Sequence, residues 1–142
     1  MARKSRRTER RTDALSFERI VQAAIALLDA EGEGGLTFRA LATRLETGAG
    51  AIYWHVANKG QLLAATTDDV VAAALNGIGE DAAPADAIRA VALGLFDAID
   101  AHPWVGAQLA REPWQSAMLQ IFERIGVQLQ ALRVRKDRKS VV

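Results

Sequence analysis

The most distinctive group of polar and aromatic side chains lies in residues 36–59, LTFRALATRLETGAGAIYWHVANK. Tyr53, Trp54 and His55 are consecutive, and Lys59 follows shortly after them. Tyrosine and histidine donate hydrogen bonds to phosphate oxygens. A lysine in the first turn of a helix adds its charge where free backbone N–H groups also attract phosphate. Together these side chains suit a surface that contacts a nucleic-acid backbone.

Two interpretations of this cluster are open. Aromatic side chains at the end of a helix often belong to a hydrophobic core, and a single lysine is often a solvated surface residue. Here, however, Ile52 and Val56 fill the inward-facing positions, which leaves Tyr53 and His55 able to point outward. The cluster as a whole therefore supports the phosphate-contacting interpretation more strongly than any one of its members.

The cluster ends a pair of short predicted helices. Thr37 is a suitable N-cap for the first, which is expected to run through Leu45. Residues 46–48 interrupt the pattern, and the second helix is expected to end near His55. Two short helices around a tight turn are the layout of a helix-turn-helix, which inserts its second helix into the major groove of DNA. The inward face of the first helix comprises Phe38, Leu41, Ala42 and Leu45.

The outer face of the second helix has unusually small residues, namely Gly48, Ala49, Gly50 and Ala51. A glycine inside a helix costs about 1 kcal/mol relative to alanine. Small side chains do let the backbone approach DNA closely, and an alanine methyl can contact a thymine methyl, but neither makes a bidentate contact with a base. Specificity is therefore expected from Arg39, Tyr53, His55 or the basic N-terminal segment.

Caps and apolar periodicity predict five further helices, and no segment has the alternation of a strand. The fold class is therefore predicted to be all-α, with a linker at residues 76–83. In the last helix, the inward positions are Met118, Ile121, Phe122, Ile125, Leu129 and Leu132. The first of the five helices runs from the cap Ser16 to Ala30. The second begins at the cap Asn58, with Gln61 completing a capping box. The other three run from Pro84 to His102-Pro103, from Trp104 to Ala110, and onward from Pro113.

The composition is that of a globular protein. The chain has 142 residues, of which 50% are hydrophobic and 25% charged, and it has no cysteine. Disulfides and thiolate zinc sites are thus excluded, and a reducing compartment is compatible with the sequence. No apolar run reaches the length of a membrane span, and the basic N-terminus lacks the apolar segment of a signal peptide. A cytoplasmic location is the simplest expectation.

Charge is distributed unevenly along the chain. Residues 1–59 contain ten Lys and Arg against seven Asp and Glu, whereas residues 60–132 contain three against nine. A basic N-terminal part and an acidic remainder suggest that only the former meets a polyanion. Residues 1–15 are expected to be a disordered arm, either a solubilising tail or a segment that contacts DNA phosphates or the minor groove. Residues 133–142 form a second basic tail.

The segment LTFRALATRL…AIYWHVANKGQLL resembles the DNA-binding domain of the TetR family of bacterial transcriptional repressors. The YWHV–NK string is especially similar to the tetracycline-repressor branch, and the resemblance extends over residues 16–76. It implies a three-helix helix-turn-helix domain, joined by a long fourth helix to a helical domain at residues 84–132 that binds an effector and dimerises.

The resemblance also assigns roles within the helix-turn-helix. Arg39 is implied to face bases, together with the small residues of the second helix. The aromatic cluster and Lys59 are implied to lie at or near phosphates. The DNA-binding residues predicted in this way are Thr37, Arg39, Gly48, Ala49, Gly50, Ala51, Tyr53, Trp54, His55 and Lys59.

The turn of this helix-turn-helix departs from the family pattern. Members of the family usually place glycine and then a small apolar residue there, whereas this chain has Glu46 and Thr47. Glutamate is poorly suited to a left-handed backbone conformation, and its charge repels nearby phosphates. The turn is therefore expected to be both strained and less favourable for DNA.

In the C-terminal part, the resemblance implies a small-molecule effector bound among the helices after the linker. The effector would change the spacing of the two recognition helices of a homodimer and so release a palindromic operator. Each candidate lining residue has an ordinary core role as the alternative, and His102 before Pro103 is more simply a helix terminator. The candidates are Leu95, Phe96, Ile99, His102, Trp104, Trp114, Met118 and Phe122.

The family usually continues with further long helices that form the dimer interface. This sequence ends soon after the seventh predicted helix, in RVRKDRKSVV. Two interpretations are open, a chain truncated at its C-terminus or a genuine short variant. In both, the helices of the usual dimer interface are missing, so the homodimer that the family implies is in doubt, and a monomeric head would recognise only one half-site.

Enzymatic activity is not expected. There is no cysteine, the two histidines are well separated, and the acidic residues are not at metal-ligand spacing. No cofactor or metal is predicted. The GxG strings at residues 48–50 and 77–79 neither follow a strand nor continue to a third glycine. The leading interpretation is a DNA-binding repressor, and the alternative is a truncated helical interaction module that no longer binds DNA specifically.

Overall fold

The computed structural model describes residues 15–137, and it describes side chains as far as residue 132. Most of the predicted basic arm and the end of the basic tail lie outside this range. Between residues 15 and 137 the chain forms seven α-helices and one 3-10 turn and contains no strand, which confirms the all-α fold class. The helices are α1 (Phe17–Glu31), α2 (Phe38–Arg44), α3 (Ala49–Tyr53), α4 (Lys59–Asn76), α5 (Pro84–Ala101), α6 (Pro103–Arg111) and α7 (Ser116–Asp137).

Local capping sets the ends of the first two helices. The Ser16 hydroxyl accepts a hydrogen bond from the Arg19 N–H at 3.2 Å, and the Thr37 hydroxyl accepts one from the Ala40 N–H at 3.0 Å. Such caps satisfy N–H groups that have no partner inside the helix. Gly32 ends α1 with a φ of 73°, a left-handed conformation that glycine adopts without strain. The N-caps predicted at Ser16 and Thr37 are confirmed.

The start of α4 is held by a reciprocal pair of side chains. The Asn58 Oδ1 atom accepts a hydrogen bond from the Gln61 N–H at 2.9 Å, and the Gln61 Oε1 atom accepts one from the Ala57 N–H at 3.0 Å. The predicted capping box is thus present, with the backbone partner one residue before the cap. The chain divides into two compact units within this helix, between Leu62 and Leu63. We call residues 15–62 the head and residues 63–137 the body.

The head has a small core formed by α1, α2 and α3. The first helix packs on the 3-10 turn and on α2, which in turn packs on α3. Burial of large aliphatic side chains is the main stabilising contribution in so small a unit. The large aliphatic side chains of the head with essentially no exposed surface are Ile20, Leu28, Leu36, Leu41, Ile52, Val56 and Leu62.

In the body, α5 packs mainly against α7 and also against α6. Pro84 and Pro103 each occupy the first turn of a helix, where the missing proline N–H is not needed. Pro103 therefore starts α6 as well as following the end of α5. No helix among the described residues has both the length and the apolar character needed to cross a membrane.

The last helix differs from its prediction. It begins at Ser116 and not at Pro113, because residues 113–115 form a turn in which the Gln115 amide donates to the backbone oxygen of Glu112 at 2.9 Å. Its buried positions are Ala117 and Ile121. The predicted inward residues Phe122, Leu129 and Leu132 are exposed, because the buried positions Ala117 and Ile121 precede Met118 and Phe122 by one residue and so lie on a face rotated from the predicted one.

Candidate nucleic-acid interface

The two helices of the predicted helix-turn-helix are joined by a tight turn that is held by backbone hydrogen bonds. The Thr47 N–H donates to the Ala42 carbonyl oxygen at 3.0 Å, and the Glu46 N–H donates to the Thr43 oxygen at 3.2 Å. Glu46 has a φ of 53°, the left-handed conformation expected to be unfavourable for glutamate. The turn therefore positions α3 at the expense of local backbone strain.

The aromatic cluster at the end of α3 lies on the surface of the head. Ile52 and Val56 are buried, whereas Tyr53 is 53% exposed and Trp54 is 89% exposed. His55 is also exposed. An exposed tryptophan of this degree makes almost no packing contribution to its own domain. Three adjacent rings are thus available to a partner.

Tyr53 is held in place by an aromatic neighbour on α2. Its ring stacks on that of Phe38, with centroids 4.5 Å apart and an interplanar angle of 8°. Stacking of this kind fixes the direction of a partly exposed ring. Sequence reasoning assigned Phe38 to the inward face of α2, and nothing in the spacing of two residues so far apart indicates that the rings meet. Phe38 is therefore a positioning residue that the sequence did not reveal.

The outer face of α3 is open to solvent. Gly48 and Gly50 are exposed, and a Cβ atom added to either would meet no atom within 4 Å. Neither residue has a positive φ. The head itself therefore does not require glycine at these positions, either for packing or for backbone conformation. Ala49 and Ala51 are half-buried beside them.

Two of the predicted residues, Arg39 of α2 and its N-cap Thr37, lie on the exposed part of the head. The Thr37 hydroxyl is occupied as an acceptor in its cap. Arg39 is exposed, and its backbone oxygen accepts a hydrogen bond from the Thr43 hydroxyl at 3.0 Å. The guanidinium group presents a rigid set of donors that can bind a guanine edge in bidentate geometry.

Lys59 connects the start of α4 to the loop that follows α1. Its Nζ atom donates a hydrogen bond to the Glu33 carbonyl oxygen at 2.7 Å. An ammonium group has three N–H donors, so this bond leaves two for a phosphate oxygen. The contact also orients the lysine, an arrangement that sequence reasoning did not predict.

The residues predicted to line an effector pocket differ widely in their surroundings. Trp104 is buried and its ring meets that of His102 edge-on, with centroids 5.9 Å apart. Half-buried positions are Leu95, Ile99, His102 and Met118. The remaining candidates, Phe96, Trp114 and Phe122, are exposed. The structure thus brings part of this set toward the interior and leaves three large apolar side chains on the surface.

A groove of about 330 Å³ lies elsewhere in the body. It is formed by the residues after α4, the first half of α5 and the middle of α7. The Arg124 guanidinium group belongs to its lining and donates to the Leu75 carbonyl oxygen at 2.6 Å, which caps the end of α4. None of the eight predicted lining residues contributes to this groove, whose walls are Ile78, Gly79, Glu80, Ala87, Val91, Glu123, Arg124, Val127 and Gln128.

Comparison with known proteins shows that this chain is similar to transcriptional regulators. Residues 20–66 match the family described as bacterial regulatory proteins, tetR family. A transcriptional regulator of the helix-turn-helix type from Saccharopolyspora erythraea is 33% identical over 99 residues, which are 70% of this chain and 42% of that relative. This chain thus spans about two fifths of the length of that curated relative.

Solved structures agree with this match. The transcriptional regulator SCO7222, a TetR from Streptomyces coelicolor, is 56% identical with a TM-score of 0.78, over 83% of this chain and 58% of its own. BioQ, solved with its natural double-stranded DNA operator, is 32% identical with a TM-score of 0.68, over 83% of this chain and 71% of its own. The family and these relatives are transcriptional regulators and not enzymes. The chain belongs to the TetR family of bacterial regulatory proteins.

Proposed function

We propose that this protein is a sequence-specific DNA-binding repressor that inserts α3 into the major groove. The observation that carries the proposal is the exposed outer surface of α3, which ends in Tyr53, Trp54 and His55 while Ile52 and Val56 fill the core. Side chains that a domain keeps out of its own core are available for a partner. The similarity to BioQ, which binds a double-stranded operator, supports DNA as that partner.

Within this proposal, the residues of the interface divide into two groups. Tyr53, Trp54, His55 and Lys59 contact phosphates and set the position of the head on the duplex. Arg39 contacts a base, because its exposed guanidinium group is the one side chain of the predicted set with bidentate geometry. Thr37 and the residues 48–51 allow the backbone of α3 to approach the groove closely.

The protein acts on DNA in the cytoplasm as a homodimer on a palindromic operator, because two symmetric heads match two half-sites. A small molecule bound among the body helices releases the operator by altering the spacing of the heads. The half-buried and buried members of the predicted set, Leu95, Ile99, His102, Trp104 and Met118, support an effector site. Concave, largely apolar sites between helices are typical of small-molecule binding.

The decisive experiment selects bound duplexes from a random pool and measures the mass of the complex. We expect a palindromic consensus bound by two copies of the chain. The Arg39→Ala variant should relax preference at one base position per half-site by about 1–3 kcal/mol. Tyr53→Ala should instead weaken binding to all sequences equally, because it removes a backbone contact.

Arg89→Ala is the matched control. Arg89 is an exposed arginine on α5, so its removal changes the net charge as Arg39→Ala does without altering the head. Equal effects of the two arginine variants would contradict the docking of α2 and α3 on DNA. Weak binding without a consensus, lost at moderate salt, would indicate the alternative of a helical interaction module.

A further inference from the structure

The groove of about 330 Å³ in the body falls within the roughly 300–1,000 Å³ that is typical of small-molecule sites. Ala87 and Val91 of α5 form its buried wall, being only 3% and 2% exposed. Ile78, which is half-buried, and Val127 of α7 add aliphatic carbon to the same lining. Such a surface binds an aliphatic group by removing it from water. The groove therefore has the volume and the apolar surface for a small aliphatic side chain.

Arg124 of α7 provides the positive charge of the lining. It is half-buried, and its guanidinium group donates a hydrogen bond to the Leu75 carbonyl oxygen at 2.6 Å. A guanidinium group has five N–H donors, so this bond occupies one of them. Its planar set of donors matches a carboxylate, and the pair is stronger where water is partly excluded. Arg124 is thus suited to a carboxylate of a ligand.

Two glutamates line the groove as well. Glu80 lies between α4 and α5, and Glu123 precedes Arg124 in α7. They repel a ligand that has only negative charge, and a phosphate more strongly than a carboxylate. A ligand that has only positive charge is attracted to them but repelled by Arg124. A ligand with one carboxylate and one ammonium group compensates both signs, because the ammonium group supplies N–H donors to the glutamates.

We propose that this groove binds a small zwitterion, namely an α-amino acid with an aliphatic side chain. Arg124 binds its carboxylate, Glu80 and Glu123 bind its ammonium group, and its side chain lies against Ala87 and Val91. The site is separate from the effector-lining residues that the sequence suggested. Helical periodicity could not indicate it, because the linker and α7, which supply the charges, are far apart in the chain.

Arg124 also connects such a ligand to α4. Its guanidinium group caps the C-terminal end of that helix, where carbonyl oxygens without helical partners carry partial negative charge. A ligand carboxylate shares the guanidinium group with the Leu75 oxygen and so weakens the cap. Since α4 begins at Lys59 in the head, the amino acid acts as an effector through this helix. That regulatory role rests on the proposed function, whereas the binding itself does not.

L-leucine is the probe, titrated into the full chain and followed by calorimetry and by methyl NMR spectra. Leucinamide keeps the ammonium group but lacks the carboxylate, and N-acetylleucine keeps the carboxylate but lacks the ammonium group. Glycine keeps both charges but lacks the side chain. We expect saturable binding of leucine, with shifted methyl signals at Ile78, Val91 and Val127. Each analogue should bind at least about tenfold more weakly.

Two charge variants, each with a matched control, test the polar contacts. Arg124→Gln should weaken leucine binding at least about tenfold, since it removes a half-buried charged partner. Arg89→Gln, at an exposed arginine of α5 outside the groove, is its control. Glu123→Gln should weaken binding about two- to fivefold, because an exposed carboxylate forms a weaker pair. Glu112→Gln, at an exposed glutamate outside the groove, is the second control, and neither control should change binding.

A third variant tests the groove without changing any charge. Val127→Phe places a larger side chain at a position that is 58% exposed, so it should fill the groove and leave the fold intact. Leucine binding should fall at least about tenfold while the thermal midpoint stays the same. This variant also decides the question if Arg124→Gln, which removes the cap of α4, does not fold.

Equal binding of leucinamide or N-acetylleucine, full binding in Val127→Phe, or methyl shifts confined to other residues would overturn the site. The absence of saturable leucine binding would overturn it too. An operator assay separates this result from the proposed function. A chain that selects a palindrome but does not bind leucine retains the proposed function without the site, and a chain that binds leucine but selects no DNA does the reverse. Leucine binding that leaves operator affinity unchanged supports the site and contradicts its regulatory role.

Discussion

In the head, side chains at the starts of helices accept hydrogen bonds from backbone N–H groups, whereas two helices of the body begin with proline and have no side-chain cap. Ser16, Thr37 and Asn58 each complete a local cap in the head. In the body, Pro84 starts α5 and Pro103 starts α6, where the missing proline N–H needs no partner. A unit whose helix starts are capped by its own side chains, and whose aromatic rings are exposed, is suited to binding an external surface.

Apolar surface is also distributed differently in the two regions. In the head, the large exposed rings are confined to the end of α3 and the start of α1. In the body, large apolar side chains are exposed on both α5 and α7, among them Phe96 and Phe122. The head therefore buries most of its large apolar side chains, whereas the body leaves several of its own exposed.

The largest expected effect tests this difference in packing. Leu41→Ala removes a fully buried side chain of the head and should lower the free energy of unfolding of the head by about 2–5 kcal/mol. Leu119→Ala in α7 removes a side chain that is 53% exposed, so it should change stability far less. Denaturant unfolding followed by circular dichroism measures both. Comparable losses would contradict the contrast between the two cores.

The strained turn of the head provides a second test. Glu46→Gly should raise head stability by about 1 kcal/mol, because glycine adopts the φ of 53° without the cost that a side chain incurs. It should also tighten DNA binding by removing a negative charge. Glu46→Gln removes the charge but keeps the side chain, so it should affect DNA affinity alone. Identical stability of the two variants would show that the turn is not strained.

The open outer face of α3 gives a third test. Gly50→Ala should stabilise the free head by up to about 1 kcal/mol, because alanine favours a helix and nothing obstructs the new methyl group. The same methyl group should weaken DNA binding if the backbone of α3 approaches the groove. Gly34→Ala, also unobstructed but outside α3, is the control. Undiminished DNA affinity in Gly50→Ala would rule out the close approach.

A fourth test concerns the ring that supports Tyr53. Phe38→Leu keeps an apolar side chain but removes the stack, whose contribution is about 0.5–1.5 kcal/mol beyond buried area. DNA affinity should fall uniformly across sequences and by less than in Tyr53→Ala. The double variant with Tyr53→Ala should lose little more than Tyr53→Ala alone. Additive losses in this double-mutant cycle would contradict a positioning role for Phe38.

The smallest effect is the pH dependence of the body. Burial raises the pKa of Asp68, so its contribution to stability is present in acid and is lost as the pH rises through the raised folded value. Asp68→Asn should therefore flatten the decrease in body stability between the ordinary pKa of aspartate and that raised value. Asp69→Asn should not. Unfolding midpoints measured across this pH range in both variants decide the question.

Local chemistry accounts for what the sequence predicted well. The caps at Ser16 and Thr37, the capping box at Asn58 and the all-α class all follow from residue types and spacing within a few positions. The exposure of Tyr53 and His55 followed from the same reasoning, since Ile52 and Val56 already occupy the inward positions. The membership of the TetR family was likewise evident in residues 36–59 and was confirmed by comparison.

Only the tertiary structure decided which faces and distant residues meet. Periodicity identified the apolar positions of α7 but not which of them would face α5, and Phe122 is exposed as a result. The contact of Lys59 with Glu33 and the cap that Asp68 provides for α7 join residues far apart in the chain. Caps and helical periods arise from interactions within one or two turns, which a sequence records directly. Pairing between helices depends on their relative rotation and crossing, which no short segment specifies.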